Sequence, residues 1–402
     1  MSRLAALMFL ATASLAFPAD PLPRRVDLEP RFADFGLPAL SQGNRDTCSL
    51  FAITALAEFE VCRATPRSKQ RLSEEYLVWA ANEATGSRGD QAMFYEAIHG
   101  LNELGICDWN AAPYSEQSGG PGKPSEQAAS AARAMAYRWR PVWIKRWNVD
   151  QPMTDGQLTA IKSALAAGHP VACGLRWPKT LNGSALVKVP PADQVFDGHS
   201  IALTGYIDGA NPSTGTFLFR NSSGPKWGKN GYGTMSYAYV KAYANDAVWL
   251  HFGSPDSERP TVRFEAEQLS VRQQQGCQLN PQDMTSFGGP MWSGSKHLFV
   301  NASQGAVVEL EFPVPKAGRY RVCVQGTAAP DFGVVRFAMD GQPVEQELDL
   351  YSGRVCPSGS TELGQWELTE GKHLLQFKVT GKNPGSKGFK FGIDTIDLIA
   401  TE

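Results

Sequence analysis

The chain of 402 residues has little charge: only 19% of its residues are Asp, Glu, Lys or Arg, and they nearly cancel to a net −2. A nucleic-acid partner would want a basic face, and this balance argues against one. It also gives no reason to invoke an anionic membrane. Long apolar runs are missing as well. The longest candidate, Leu4 to Leu15, is too short for a bilayer span, which needs about 20 residues. No internal repeat is present. Hydrophobic residues nevertheless reach 42%, enough to fill a sizeable core, so disorder is excluded as the default state. The length suits two or three domains.

What the N-terminus does have is the pattern of an export signal. Arg3 supplies positive charge, Leu4 to Leu15 an apolar stretch, and Ser14, Ala16 or Ala19 small residues for cleavage. Residues 1–19 are therefore expected to be a signal peptide, and the mature protein to be secreted or periplasmic. Seven cysteines are an odd number for an exported chain. Setting Cys48 aside leaves Cys62, Cys107, Cys173, Cys277, Cys323 and Cys356. An oxidising compartment allows pairs among them, with Cys62 and Cys107 the first candidates because both lie in the same half of the first domain. Cys173, in a β-like run, reads as a plain buried thiol.

Periodicity divides the chain. Asp46 or Thr47 can cap a helix that carries Cys48 in its first turn, with Phe51, Ala55, Leu56 and Phe59 on one apolar face. Ser73 followed by Glu74 and Glu75 starts a second helix, and residues 91–104 form a third ending at Gly105. Gln117 to Ser125 is a loop that suits a crossing between two lobes. Asp155 to Ala167 is a helix closed by Gly168, and strands follow at Pro170 to Leu175, Ile201 to Tyr206 and Gly215 to Arg220. Residues 253–260 are a compositional break. The expected domains are 20–253, a linker at 254–260, and an all-β region at 261–402 whose strands suit a sandwich or jelly roll.

One cysteine, one histidine and one asparagine stand out in that order: Cys48 at a helix start, His199 opening a strand run, and Asn221 closing the partner strand. These are the parts of a thiol nucleophile, its base, and the group that orients the base. A helix N-terminus and a neighbouring imidazolium both favour the thiolate, the reactive form. Gln42, six residues before Cys48, can give its side-chain amide to an oxyanion beside the backbone N–H of Cys48.

The stretch Asn221-Ser222-Ser223-Gly224-Pro225-Lys226-Trp227-Gly228-Lys229-Asn230-Gly231-Tyr232-Gly233 closely resembles the Asn-Ser-Trp-Gly…Trp-Gly…Gly-Tyr run of papain-type (C1) cysteine peptidases. Gln42-Gly43, Leu72-Ser73-Glu74 and Gly105-Ile106…Pro113-Tyr114 sit where that family has similar elements. The resemblance covers about residues 24–252 and implies an α+β papain-like two-lobe catalytic domain. It also implies that Gln42, Cys48, His199 and Asn221 are the catalytic set for peptide hydrolysis, with no cofactor required. There are departures. Arg45-Asp46-Thr47 replace the family's Cys-Gly-Ser, Ser49 replaces a Trp, and Ser223 replaces the Trp that normally covers the His–Asn bond. Another aromatic, Trp227 for example, would have to cover it. The folded part begins within a few residues of the signal, at Val26-Asp27-Leu28, so no long inhibitory pro-segment is expected.

The C-terminal region carries no nucleophile–base set. Phe264-Glu265-Ala266-Glu267 at its start and Ile393-Asp394-Thr395-Ile396-Asp397 at its end resemble the first and last strands of β-sandwich carbohydrate-binding modules. The resemblance implies a polysaccharide or cell-surface glycan as a partner beside the protein or peptide substrate. It also implies a structural calcium, for which Glu265, Glu267 and Asp394 are candidate ligands. Trp292, Tyr351 and Trp366 are candidates to stack on sugars. Two rival readings use the same residues: a papain-fold binding protein that has lost activity and acts through the sandwich, and a different acyl transfer on the same thiol.

Overall fold

In the computed structural model, which describes residues 21–401 apart from 66–68, 118–119, 182, 212 and 254–259, helices crowd the early chain and strands take over after residue 139. The signal-peptide expectation and most of the expected linker lie outside the described residues. The first unit runs β1 (Arg25–Asp27), α1 (Glu29–Asp34), α2 (Cys48–Ala64), α3 (Glu74–Thr85), α4 (Phe94–Leu104), α5 (Glu126–Arg133), β2 (Trp139–Lys145), α6 (Asp155–Ala166), β3 (Val171–Pro178), β4 (Ala185–Leu186), β5 (Val195–Asp208), β6 (Gly215–Arg220), β7 (Tyr232–Ser236), α7 (Tyr237–Tyr243) and β8 (Ala244–Phe252). The second runs β9 (Val262–Glu265), β10 (Ser270–Asp283), β11 (Lys296–Val314), β12 (Gly318–Ala328), β13 (Val334–Met339), β14 (Gln342–Asp349), β15 (Cys356–Leu368), β16 (Gly371–Gly381) and β17 (Phe391–Ala400).

Local chemistry sets several boundaries. The Ser73 hydroxyl accepts the Tyr76 N–H and caps α3 (2.8 Å), and Gly105, at φ +73°, ends α4. Thr47 is the N-cap of α2, but its hydroxyl bonds Tyr114 Oη (2.7 Å) instead of the helix. Nor does α2 have a single apolar face. Residues 49–62 are buried all round, because it runs through the middle of the domain. Its acidic side chains are paired: Glu58 accepts from Arg71 Nε (2.7 Å), and Glu60 from Arg63 (2.6 Å) and His169 (2.8 Å). The strands of this unit order as β2-β8-β3-β5-β6-β7-β4 among the described residues, with β1 added to β5.

The second unit is all β, in the order β14-β13-β16-β11-β17-β12-β15 with β9 on β17 and β10 on β11. Along β11 the buried residues Ala306, Val308, Leu310, Phe312 and Val314 fall every second position, the period of a half-buried strand. Each fully buried Val, Leu or Phe stabilises the fold by about 1.5–3 kcal/mol.

The two units touch. Gly353 N donates to Trp147 O (3.0 Å) and Asn148 Nδ2 to Tyr351 Oη (2.7 Å). Met93 and Tyr95 from the first unit meet Met284, Met291, Trp292 and Cys356 in one apolar cluster. This corrects one expectation: Trp292 is 1% exposed in that cluster, its Nε1–H given to Thr327 Oγ1 (2.8 Å), so it cannot stack on a sugar. The expected Cys62–Cys107 bridge is also absent. All seven thiols are free. Cys62 lies in the main core, and Cys107 in a separate cluster with Tyr76.

Candidate active site

Cys48 comes from the helical lobe, as the first residue of α2. His199 and Asn221 come from the sheet, on β5 and just after β6. The short connection between those antiparallel strands brings them together: His199 Nε2–H donates to Asn221 Oδ1 over 2.8 Å. The second ring nitrogen, Nδ1, is left for a proton from elsewhere. Cys48 Sγ lies 3.9 Å from the carbonyl of Gly198, the residue before His199. The backbone and hydroxyl of Ser200 on the other side of His199 also reach the thiol. Gly198 holds φ at +104°, a conformation that favours glycine where the chain turns into the site.

Gln42 is fixed from several directions. Its backbone N–H donates to Ser222 O (2.8 Å), its side-chain Nε2 to Arg45 O (2.7 Å), and its Oε1 accepts from the Ser222 hydroxyl (2.5 Å). One amide hydrogen remains for an oxyanion. Ser222 was not singled out from the sequence, although it follows Asn221 directly. Its N–H donates to Asn221 Oδ1 (2.9 Å) while its hydroxyl holds Gln42, so a single residue joins Asn221 to Gln42.

The missing Trp at Ser223 is replaced from another strand. Trp177 of β3 packs edge-on against His199, ring centroids 4.4 Å apart at 61°. Trp227, the aromatic expected there, packs on Phe219 (5.7 Å), and Phe219 on Trp177 (6.1 Å), so Trp227 is two rings away from the histidine. No local motif points to Trp177, because its position depends on the register shift between Leu175 and Trp177 as β3 pairs with β5.

Burial acts on both the Cys48 thiol and the His199 ring. It pushes the Cys48 thiol up, against the lowering effect of the Ser200 contacts, and it pushes the His199 imidazole down, against the bond to Asn221. Each group alone is thereby held neutral. A thiolate–imidazolium pair must come from the attraction between the two and from the α2 N-terminus.

In the second unit, Ser293 links two of the calcium candidates. Its hydroxyl donates to Glu265 Oε1 (2.6 Å) and its N–H to Asp394 Oδ1 (3.1 Å). Glu265 Oε2 and Glu267 Oε2 are buried without a partner, and burial pushes Asp394 up to about 8. Among the described residues, however, no three His, Cys, Asp or Glu side chains gather closely enough to hold a metal ion.

A papain family cysteine protease model matches residues 22–248, more than half of the chain, and the chain belongs to that family. It is 27% identical over 217 residues to an uncharacterized peptidase C1-like protein of Acanthamoeba polyphaga mimivirus; the match takes in 51% of this chain and 66%, just under two thirds, of that relative. The structure of the cysteine protease and lectin-like domains of Cwp84, a surface layer associated protein of Clostridium difficile, aligns with 92% of this chain and 77% of its own, at a TM-score of 0.51 and 16% identity. That likeness carries the fold: a papain-like domain followed by a large all-β region. Xylellain, a cysteine protease from Xylella fastidiosa, aligns over 58% of this chain and 87% of its own, with TM-score 0.48 and 23% identity. Among the described residues no helix is long and apolar enough to cross a membrane.

Proposed function

We propose that the chain is an exported cysteine peptidase that cleaves peptide bonds through a thioester on Cys48. The observation that carries this reading is the continuous bonding of His199 to Asn221, Asn221 to Ser222, and Ser222 to Gln42 beside the Cys48 thiol. In the first step His199 Nδ1 takes the Sγ proton and the sulfur attacks the peptide carbonyl carbon. The oxygen that becomes negative is held by the Cys48 N–H, which has no partner within its helix, and by the free Gln42 amide hydrogen. The imidazolium then gives its proton to the leaving amine, and the thioester remains. Water, deprotonated by His199, releases the acid and restores the thiol. Asn221 keeps the ring aligned throughout.

The same reading assigns the second unit to a glycan. What supports this is a cleft of about 1,480 Å³ between β2 and the sandwich, lined by the half-buried aromatics Trp143, Tyr351 and Trp366 together with Gln151, Gln365 and Asn383. Aromatic faces and side-chain amides suit sugar rings and hydroxyls. The volume exceeds that of ordinary small-molecule pockets, about 300–1,000 Å³, and suits a chain of several sugars.

Hydrolysis of a denatured protein or a fluorogenic peptide library by the mature chain, with Cys48→Ala as control, tests the peptidase half. Cleavage lost in the control supports it. A folded protein with no cleavage would instead favour the binding-protein reading. Trp366→Ala should weaken retention on a polysaccharide gel without changing cleavage; equal retention would remove the cleft from the proposal.

A further inference from the structure

The loop that carries Gln42 and Cys48 is held by one buried side chain that the motif does not explain. Arg45 is 2% exposed. Its guanidinium donates to Asp90 Oδ1 (2.7 and 3.1 Å), Glu75 Oε2 (2.5 Å) and Ser115 O (2.8 Å), and lies 4.7 Å from the Tyr114 ring centre. The carbonyl of the same residue accepts the Gln42 amide, so the position of Arg45 sets the position of the oxyanion donor. Two further bonds tie the surroundings of Cys48 to the same neighbour. Gln91 Nε2 donates to Asp46 Oδ2 (3.0 Å), and the Ser49 hydroxyl to Ala92 O (2.5 Å).

Asp90, Gln91 and Ala92 are consecutive, and the sandwich clamps the residues just C-terminal to them. Met93 and Tyr95 enter the apolar cluster formed with Met284, Met291 and Trp292. One turn further along α4, His99 Nε2 meets Pro290 O at 3.3 Å. The polar bonds to the nucleophile loop and the apolar contacts to the sandwich thus lie at opposite ends of a span of a few residues. An extended chain of that length has little slack.

We propose that the β-sandwich is a positioning element of the active site, bracing residues 90–92, which in turn fix Arg45, Asp46 and Ser49 around Cys48. Asp90 and Arg45 are then positioning residues that act through Gln42 and Cys48 without touching substrate. The accessory unit has a role in turnover separate from any glycan it holds. The kinetic part of this inference rests on the peptidase reading; the labelling part does not.

The test is a double-mutant cycle in the full chain, because neither unit has been shown to fold alone. Asp90→Asn removes the charge that Arg45 pairs with and so weakens the link at the loop, and Met291→Ala weakens it at the sandwich. For each variant kcat and KM are measured on a fluorogenic peptide, and the iodoacetamide labelling rate of Cys48 at pH 6 is followed by peptide mass spectrometry. Asp90→Asn should lower both kcat and the labelling rate about tenfold, with KM within about twofold. Met291→Ala should lower them about threefold, and Met291→Leu should restore them. The double variant should lose less than the product of the two single effects, because coupled sites are not additive. Independent effects that multiply, or wild-type rates in Met291→Ala with its interface intact by melting temperature, would overturn the brace. If the wild type cleaves no peptide, the peptidase reading fails, and the same cycle read by labelling still decides the brace.

Discussion

The two sides of the site are held by different means. The base side is built from neighbouring strands. His199 and Asn221 lie 22 residues apart on one strand pair, and the aromatic cover comes from the next strand, β3. The nucleophile side is built from distant segments tied by charge and side-chain hydrogen bonds: Glu75, Asp90, Gln91, Tyr114 and Ser115 all reach into the loop between Gln42 and Ser49. Sheet hydrogen bonds tolerate side-chain changes, whereas a buried guanidinium left without its carboxylates carries the full cost of an unpaired charge. The departures from the family pattern are thus spread unevenly. On the base side a lost aromatic is replaced by another aromatic. On the nucleophile side Arg45 supports the loop through an ionic network.

The largest effect is expected on the nucleophile side. Gln42→Ala should reduce kcat by about 10²–10³, the usual effect of losing one oxyanion donor, and leave KM nearly unchanged. An effect on KM alone would mean that Gln42 binds substrate and is no oxyanion donor. Next in size is Trp177→Ala, expected to lower kcat/KM about tenfold, or ~1.4 kcal/mol, while Trp177→Phe stays close to wild type. The His199 ring should also respond. Burial lowers its pKa, so hydration in Trp177→Ala should move it up toward about 6.5. The NMR titration of the ring in a Cys48→Ala background reads that shift without the thiol, and no upward movement would mean that Trp177 does not exclude water.

The smallest effect concerns stability. Glu74 and Glu58 are both buried, each with one oxygen unpartnered, and burial followed by the charge of Glu58 pushes Glu74 up to about 8. An unfolded Glu titrates near 4.3. The folded chain therefore holds a proton that the unfolded chain releases as pH rises between those values. The stability contribution of Glu74 is complete below about 4.3 and is lost toward 8. Glu74→Gln should raise the melting temperature relative to wild type more at pH 8 than at pH 5. The opposite order would mean that Glu74 is ionised in the folded state.

How much of this was legible in the sequence depends on the same division. The helix starts at Ser73 and Cys48, the turn at Gly105, and the strands around His199 and Asn221 are written in local residue patterns, as is the alternation of the sandwich strands. Gln42, Cys48, His199 and Asn221 stand out because their types and order match a known chemistry. Trp177, Ser200 and the partners of Arg45 do not, since they depend on strand register and on segments that meet only after folding. Trp292 reads as a sugar platform in the sequence because nothing in its neighbourhood tells of the docking that buries it. Cys62 and Cys107 share a lobe, but packing sends them to separate clusters.

In the proposed mechanism Cys48 and His199 act as one pair, although burial favours the neutral form of each. The direct measurement is the rate of iodoacetamide labelling at Cys48 from about pH 4 to 9, with His199→Ala as control. A working pair gives fast labelling far below the free-thiol pKa of about 8.5, lost in the control. Labelling that rises only near that value, alike in both proteins, would contradict that pairing.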